Sequence, residues 1–282
     1  MNISRQAVHQ YHKKVLQKDV KTAQFIEKAN LIRKDHPMLG CRKMALKTKE
    51  YGWGRDKVEQ LFLSAGYRII YPPNYTKTTQ PQYDKIYPNL IEGIILNGIN
   101  QLVQTDISYI WINGKFYYLV FIIDVYSRRI VGYNTSENML AGSNVKALKL
   151  LIHLRKGACL KKMIHHSDRG SQYTSKVYLT LLNKVEMRIS MCKEAWQNAY
   201  TERFNRTIKE EYLNEMGIET FSQLKRAVRK VIELYNEKRP HWNLYQQMSP
   251  VEFEKYVDKL PDDKKPTMQL YQAPAELSTI LL

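Results

Sequence analysis

The chain has 282 residues, with 44 Lys and Arg against 27 Asp and Glu, a formal net charge of +17 and an isoelectric point near 9.6. That length allows two modest domains or one large one, and a basic excess of this size favours a polyanionic partner, because each phosphate neutralised releases counterions. Three isolated cysteines (Cys41, Cys159 and Cys192) without CxxC spacing disfavour a disulfide framework or a structural zinc. No stretch approaches the roughly 18 apolar residues of a membrane span, and the opening MNISRQAVHQYHKK lacks the apolar segment of a signal peptide, so a cytoplasmic setting without membrane contact is expected.

The N-terminal quarter is the most basic part: over 1–70, Lys and Arg outnumber Asp and Glu by 15 to 6. Two helices are predicted there. Residues 4–18 align Val8, Tyr11 and Val15 behind Ser4 as N-cap; residues 21–34 align Phe25, Ala29 and Ile32 and stop at Pro37. A short helix around Arg42–Glu50 follows Gly40, and another over Arg55–Ala65 aligns Val58, Leu61, Phe62 and Ala65 before Gly66. Short helices joined by Gly-containing turns in a basic setting point to a helix-turn-helix DNA-binding region over residues 1–70. Arg42, Lys43, Arg55 and Lys57 are its candidates for phosphate or base contact; a plain helical bundle with a solvated basic surface is the alternative. Residues 71–96, rich in Pro-containing turns and without periodicity, read as a linker.

From residue 97 the pattern changes to α/β. Residues 101–111 and 115–125 are apolar, aromatic and β-branched, separated by the hairpin signal Asn113-Gly114. Residues 128–134 read as a third strand, followed by a helix at 142–156, a strand at 160–166, a helix at 174–183, a strand at 186–190 and a helix over 197–213. Three meandering strands followed by alternating helix and strand are the order of a ribonuclease H-like α/β core, a mixed five-stranded sheet with flanking helices, here spanning 97–215. In that fold the first strand is central and lies beside the fourth.

Three carboxylates then stand out. Asp106 sits in the strand QLVQTDISYIW, Asp168 in HHSDRGSQYTS directly after the fourth strand, and Glu202 in the helix NAYTERFNRTIKEEYL. At about 100° per residue, Asn198, Glu202, Arg206 and Lys209 share one polar sector, opposite Tyr200, Phe204, Ile208 and Tyr212. Taken alone, this is an amphipathic surface helix with an i,i+4 pair between Glu202 and Arg206. Taken with the two aspartates, it completes a hard-oxygen ligand set for Mg²⁺ or Mn²⁺. Two such ions about 4 Å apart activate an attacking water or hydroxyl and stabilise the leaving oxygen of a phosphodiester. Asp106 is expected to bridge both ions, with Asp168 and Glu202 holding one each.

Other candidates are weaker. His165 and His166 are adjacent on a strand and point to opposite faces, which disfavours zinc and leaves His166 as a site-wall residue. Asp124 is a candidate fourth acid but reads mainly as a turn residue paired with Arg128 or Arg129. SDRGSQ has one Gly and no P-loop lysine, and Ser167 has no triad context. Residues 216–257 form a helical extension that packs on the core: an amphipathic helix over 220–237 carries Leu224, Val228, Val231, Ile232 and Tyr235, and Arg239 and His241 follow near DNA or near the helix of Glu202, with packing the favoured role. The polar tail 258–282 is expected to be disordered.

The segments TDISYI, DVYSRRIVGY, HHSDRGSQYTS, NAYTERFNRTIKEEY and YNEKRPHWNLYQQMSPVEF resemble, in that order, the motifs of insertion-sequence transposases of the IS-three family. The likeness is to the second-reading-frame (orfB-type) product, which bears the integrase core. HPMLGCRKM and GWGRDKVEQ resemble the helix-turn-helix segment before that core, so the resemblance covers most of residues 30–255. It implies a DDE recombinase of the retroviral-integrase superfamily, with Asp106, Asp168 and Glu202 as its triad. Lys209, on the same helix as Glu202, matches the basic residue that contacts DNA at the element end, and Arg206 and Asn198 on the same stripe are further candidates for DNA contact. The implied reaction is metal-dependent hydrolysis at a 3′ end, then attack of the 3′-hydroxyl on another phosphodiester. The implied partners are double-stranded DNA (terminal inverted repeats and target), further copies of the chain, and an upstream orfA-type product or frameshift fusion, in a prokaryotic nucleoid.

Two departures accompany the resemblance. The stretch between Asp168 and Glu202 is two positions shorter than is usual, with the gap in MCKEAWQN; and Val103 stands where a tryptophan is usual. Two other readings are a DNA-binding regulator that holds element ends without cutting, and a ribonuclease H-like nuclease that hydrolyses without joining.

Overall fold

The computed structural model describes residues 4–67, 87–156, 160–192 and 195–270; Cys159 and most of the expected linker lie outside them. The chain divides into two compact units: residues up to Asn74 together with Glu210–Glu215, and Tyr75–Lys209 together with Met216–Leu282.

The first unit is helical. Its α1 (Arg5–Asp35) is one helix of 31 residues where two were expected. Lys18-Asp19-Val20 contains neither Pro nor Gly, so nothing interrupts the hydrogen-bond ladder between the two periodic stretches. Ser4 accepts from the Ala7 N–H as the N-cap, and the helix ends just before Pro37. A 3₁₀ turn and Gly52, at φ 66°, join α2 (Cys41–Lys47) to α3 (Arg55–Ser64). The core is Phe25 and Ala29 of α1, Leu39, Met44 of α2, and Val58 and Phe62 of α3. Phe25 lies 5.1–5.5 Å from the rings of Tyr51, Trp53 and Phe62. Residues 210–215 complete this unit: Met38 N–H donates to the Glu211 carbonyl, and His36 Nδ1 lies 2.8 Å from the Tyr212 hydroxyl.

The second unit is built on a sheet of order β4-β3-β2-β5-β6. A short strand β1 (Ile95–Leu96) precedes it. β2 (Leu102–Ile112) and β3 (Lys115–Asp124) form the expected hairpin, with Asn113 and Gly114 both at positive φ, and β4 (Ile130–Ser136) continues the antiparallel meander. α4 (Ala141–Arg155) packs so closely on β4 that a Cβ on Gly132 would collide with the carbonyl oxygen of Ala147. The chain then returns through β5 (Ile164–Ser167), α5 (Ser171–Thr174), α6 (Lys176–Lys184) and β6 (Arg188–Met191), with β5 parallel to both β2 and β6. This is the ribonuclease H-like fold, with β2 central and β5 beside it. β5 starts later than the expected residue 160 because residues 160–163 form a turn with Lys162 at φ 69°. Val103, in place of the usual tryptophan, is buried with Val120, Leu148 and Met191.

α7 (Ala199–Glu211), α8 (Phe221–Glu237) and α9 (Pro250–Val257) follow. Capping boxes start both α8 (Thr220 with Gln223) and α9 (Ser249 with Glu252). Asn236 of α8 bonds both the N–H and the carbonyl of Ile130, fixing α8 to β4. Two expectations are corrected here. Residues 258–270 of the tail are structured, because β7 (Met268–Gln269) pairs with β1 and Leu270 is buried beside Ile91, Leu96 and Phe253, and residues 271–282 lie outside the described residues. Ile91 and Leu96, expected in the linker, belong to that same core.

Asp124 also differs from expectation. Its side chain is fully buried, accepts from the N–H groups of Asn100, Tyr126 and Ser127, and lies 3.6 Å from Arg155. Arg129 instead pairs with Glu254 of α9, which Arg155 also holds. The sequence neighbours suggested the wrong arginine, because α4 brings Arg155 across from a distant part of the chain.

Candidate active site

The sheet register brings the segments that lead to the two aspartates alongside one another. β2 and β5 run parallel with Val103 opposite His165 and Gln104 opposite His166. The ladder ends with Gln104 opposite His166, so Asp106 lies two residues further along β2 and Asp168 one residue past the end of β5. Asp168 is already beyond β5, where the chain turns: its Oδ1 accepts from the Gly170 N–H at 3.0 Å.

Glu202 enters from α7, whose N-terminal half, with the residue before it, is fastened to β2 by polar contacts. Asn198 donates to the Thr105 carbonyl at 3.3 Å and Thr201 to Oε1 of Gln104 at 3.3 Å, and Asn205 donates to Oδ2 of Asp106 at 2.9 Å. Thr201 also bonds Asn198 at 2.8 Å, and Gln104 donates to the Gln197 carbonyl. The apolar side of α7 behaves as its periodicity demands, with Phe204 and Ile208 buried and Phe204 edge-on to Phe121 and Tyr235. Glu202 and Arg206 are exposed, whereas Asn198 is buried.

Asp106 feels the charges of the other two acids. Asp106 is pushed up to about 7 by burial, then by the charge of Asp168 and, further down, that of Glu202; the Ile107 N–H and Asn205 oppose the rise. Burial also raises Asp168, opposed by the Gly170 N–H. Half-buried like charges of this kind favour a cation between them, and carboxylate oxygens are the donors a hard divalent ion takes. The donor chemistry therefore fits Mg²⁺ or Mn²⁺, although among the described residues no three His, Cys, Asp or Glu side chains are already closed around one ion position.

The histidines are separated as strand alternation requires. His165 Nε2 meets the Tyr178 hydroxyl and His166 Nδ1 meets Ser190 Oγ, each at 2.8 Å. Burial lowers them to about 3 and about 4, so both are neutral. Arg239 and His241 are buried around Tyr235. Of the basic candidates, Lys209 lies over the Tyr109 ring at 5.5 Å and Lys57 over Trp53 at 4.2 Å. Arg42 is exposed and Arg55 pairs with Asp56 at 3.0 Å. Lys43 is turned to Glu211 at 3.3 Å in a mostly buried pair, a commitment that disfavours a phosphate contact. Asn205, Thr201 and Gln104 were missed. The signal available was their spacing, since 198, 201 and 205 form one stripe beside Glu202.

Two family models, both described as Integrase core domain, match residues 97–195 and 183–250. The chain is 36% identical over 178 residues to the transposase for insertion sequence element IS904 of Lactococcus lactis, covering 60% of this chain and 67% of that one. It is 30% identical over 225 residues to the insertion element IS600 uncharacterized 31 kDa protein of Shigella sonnei, covering 77% and 82%. It is 31% identical over 170 residues to transposase InsF for insertion sequence IS3A of Escherichia coli, covering 59% and 58%. Among solved structures, the HTLV-2 integrase catalytic core domain in complex with magnesium (trimeric form) aligns at a TM-score of 0.45 and 15% identity, over 59% of this chain and 99% of that one.

Proposed function

The chain belongs to the IS3 family of insertion-sequence transposases, and on that premise we propose that Asp106, Asp168 and Glu202 are its catalytic triad. It is a DDE transposase, acting by DNA cleavage and strand transfer in the transposition of an insertion sequence. What supports this reading is that Asp106 on β2 feels the charges of Asp168, just past the neighbouring strand β5, and of Glu202, on a helix whose Asn205 bonds Asp106.

In this reading the three carboxylates hold Mg²⁺ or Mn²⁺, two ions per site. When bound, such ions activate the attacking water or 3′-hydroxyl and stabilise the leaving oxygen. The chain's own groups set the geometry: Asn205 orients the Asp106 carboxylate, the Gly170 N–H orients Asp168, and Thr201 and Gln104 fix the helix that presents Glu202. No covalent link between protein and DNA is needed, because the nucleophile is an oxygen of water or of DNA.

The DNA partners are the element's terminal inverted repeats and the target duplex, consistent with the net charge of +17. Lys209, Arg206 and Asn198 are assigned to DNA near the triad, and Arg42, Arg55 and Lys57 to DNA on the helical N-terminal unit, read as a helix-turn-helix region. A homo-multimer on DNA, an upstream orfA-type partner or frameshift fusion, and a cytoplasmic, nucleoid-associated site of action complete the proposal. The test is divalent-dependent cutting of DNA that carries the gene's flanking sequences, by wild type and by Asp168→Asn, with affinity measured alongside. Cutting lost with affinity kept within a few-fold supports the triad; equal cutting by both proteins refutes it.

A further inference from the structure

The face of β2 and β3 that carries α4 and α6 is buried at Val103 and Val120 but changes character further along. There the register pairs Tyr109 with Tyr118 and Trp111 with Phe116. Phe116 sits edge-on to both Tyr109, at 5.4 Å between ring centres, and Trp111, at 4.5 Å. Phe116 is 39% and Trp111 58% exposed. Tyr109, Phe116, Tyr118 and Met139 line a pocket of roughly 110 Å³ that Asp168 and Gln172 also line. An aromatic pocket is thus walled by one of the triad's own carboxylates. Lys209 stands over the Tyr109 ring, so a cation lies beside the same aromatic group.

We propose that this pocket receives one unpaired nucleobase of the DNA strand held at Asp168. The proposal rests on the triad reading above, since a phosphodiester at Asp168 is what brings a nucleotide within reach. A base adjoining that phosphate has to lie within one nucleotide of the pocket mouth. Aromatic rings accept any base by its π-face, and stacking there offsets the cost of leaving the duplex stack. The amide of Gln172, which donates to the Met139 carbonyl at 3.2 Å, gives the pocket a polar wall suited to a base edge. Charge complementarity selects a nucleotide over an apolar ligand: Lys209 offers a partner for a phosphate that an aliphatic or peptide side chain lacks. The unpaired base would explain why an apolar, aromatic surface is exposed beside an acidic centre in a strongly basic protein.

The test uses the full chain and duplexes made from the gene's flanking sequences, with Ca²⁺ or EDTA in place of an active metal so that binding alone is read. Wild type, Phe116→Ala and Phe116→Tyr are compared on intact DNA and on a series with one abasic site at each nucleotide around the cut. Phe116→Ala is expected to bind intact DNA roughly tenfold more weakly than wild type. That gap should close on the duplex lacking the captured base, and Phe116→Tyr should behave as wild type. Equal binding by wild type and Phe116→Ala on intact DNA overturns the pocket. A gap of the same size on every abasic duplex also overturns it, since Phe116 would then be a general contact. Failure of the triad shows itself separately, as unchanged cutting by Glu202→Gln in Mg²⁺.

Discussion

Asn205 donates its side-chain amide to Oδ2 of Asp106 at 2.9 Å, which ties the helix of Glu202 directly to the strand of the first aspartate. With Asn198 on the Thr105 carbonyl and Thr201 on Gln104, the contacts run along one stripe of α7. Gln104, Asn198, Thr201 and Asn205 are buried, and leaving one unpaired costs about 1–3 kcal/mol. A slip of α7 along β2 would unpair several at once. Polar matching therefore sets where Glu202 stands relative to Asp106, while Phe204 and Ile208 supply the adhesion.

Thr201→Val keeps the shape and removes the donor to Gln104. Divalent-dependent cleavage is expected to fall about tenfold or more, with DNA affinity unchanged, because about 1.4 kcal/mol of lost positioning is a factor of ten. Thr201→Ser should recover most of the rate. A parallel loss of affinity, or no rescue by serine, would show that Thr201 only supports the fold.

Asp106 makes the metal-free protein pH-sensitive. Its folded value, about 7, lies above the ordinary 3.8 because of burial and of the neighbouring acids. The sign follows: its contribution to stability is fully present below about pH 4 and is lost as pH rises through 7. Asp106→Asn should therefore melt at a higher temperature than wild type in EDTA at pH 8, with the difference shrinking steadily toward pH 4. A variant that melts lower at pH 8 would mean that the acids do not repel one another in the folded state.

Much of the fold around this site was legible in the residues themselves. Alternation in QLVQTDISYIW and the Asn113-Gly114 turn point to the hairpin, and helical spacing buries Phe204 and Ile208 as observed. Local pattern failed where distant chain decided the outcome. Asp124 takes its cation from Arg155 on α4, and Lys43 takes its anion from Glu211, pairings that no sequence spacing displays. The break expected near residue 20 had no breaker behind it, and a helix without one continues. Leu270 is buried only because β7 finds β1, which lies on the far side of the whole catalytic core in the chain.

The buried cluster around Arg155 offers a stability test. Burial raises Asp124, opposed by Arg155, whereas Glu254, despite burial, is held low by its bonds to Arg155 and Arg129. Arg155→Met leaves two buried carboxylates with one arginine between them, and breaking a buried pair in this way costs about 3–5 kcal/mol. Urea unfolding at pH 7 should show a loss of that order. A loss below about 1 kcal/mol would mean that the cluster is solvated in practice.

Lys209 sits on the polar stripe of α7 and over Tyr109. Lys209→Ala should weaken binding to the element's end more than binding to unrelated DNA of equal length, measured by competition at fixed salt. Equal losses on both would reduce Lys209 to one more phosphate contact.

The most direct test of the triad is strand joining on DNA carrying the gene's flanking sequences, in Mg²⁺, with wild type and Glu202→Gln compared at equal DNA occupancy. The account predicts joined product from wild type and none from the variant, because Glu202 is the third carboxylate of the site. Joined product from Glu202→Gln at the wild-type rate would contradict it.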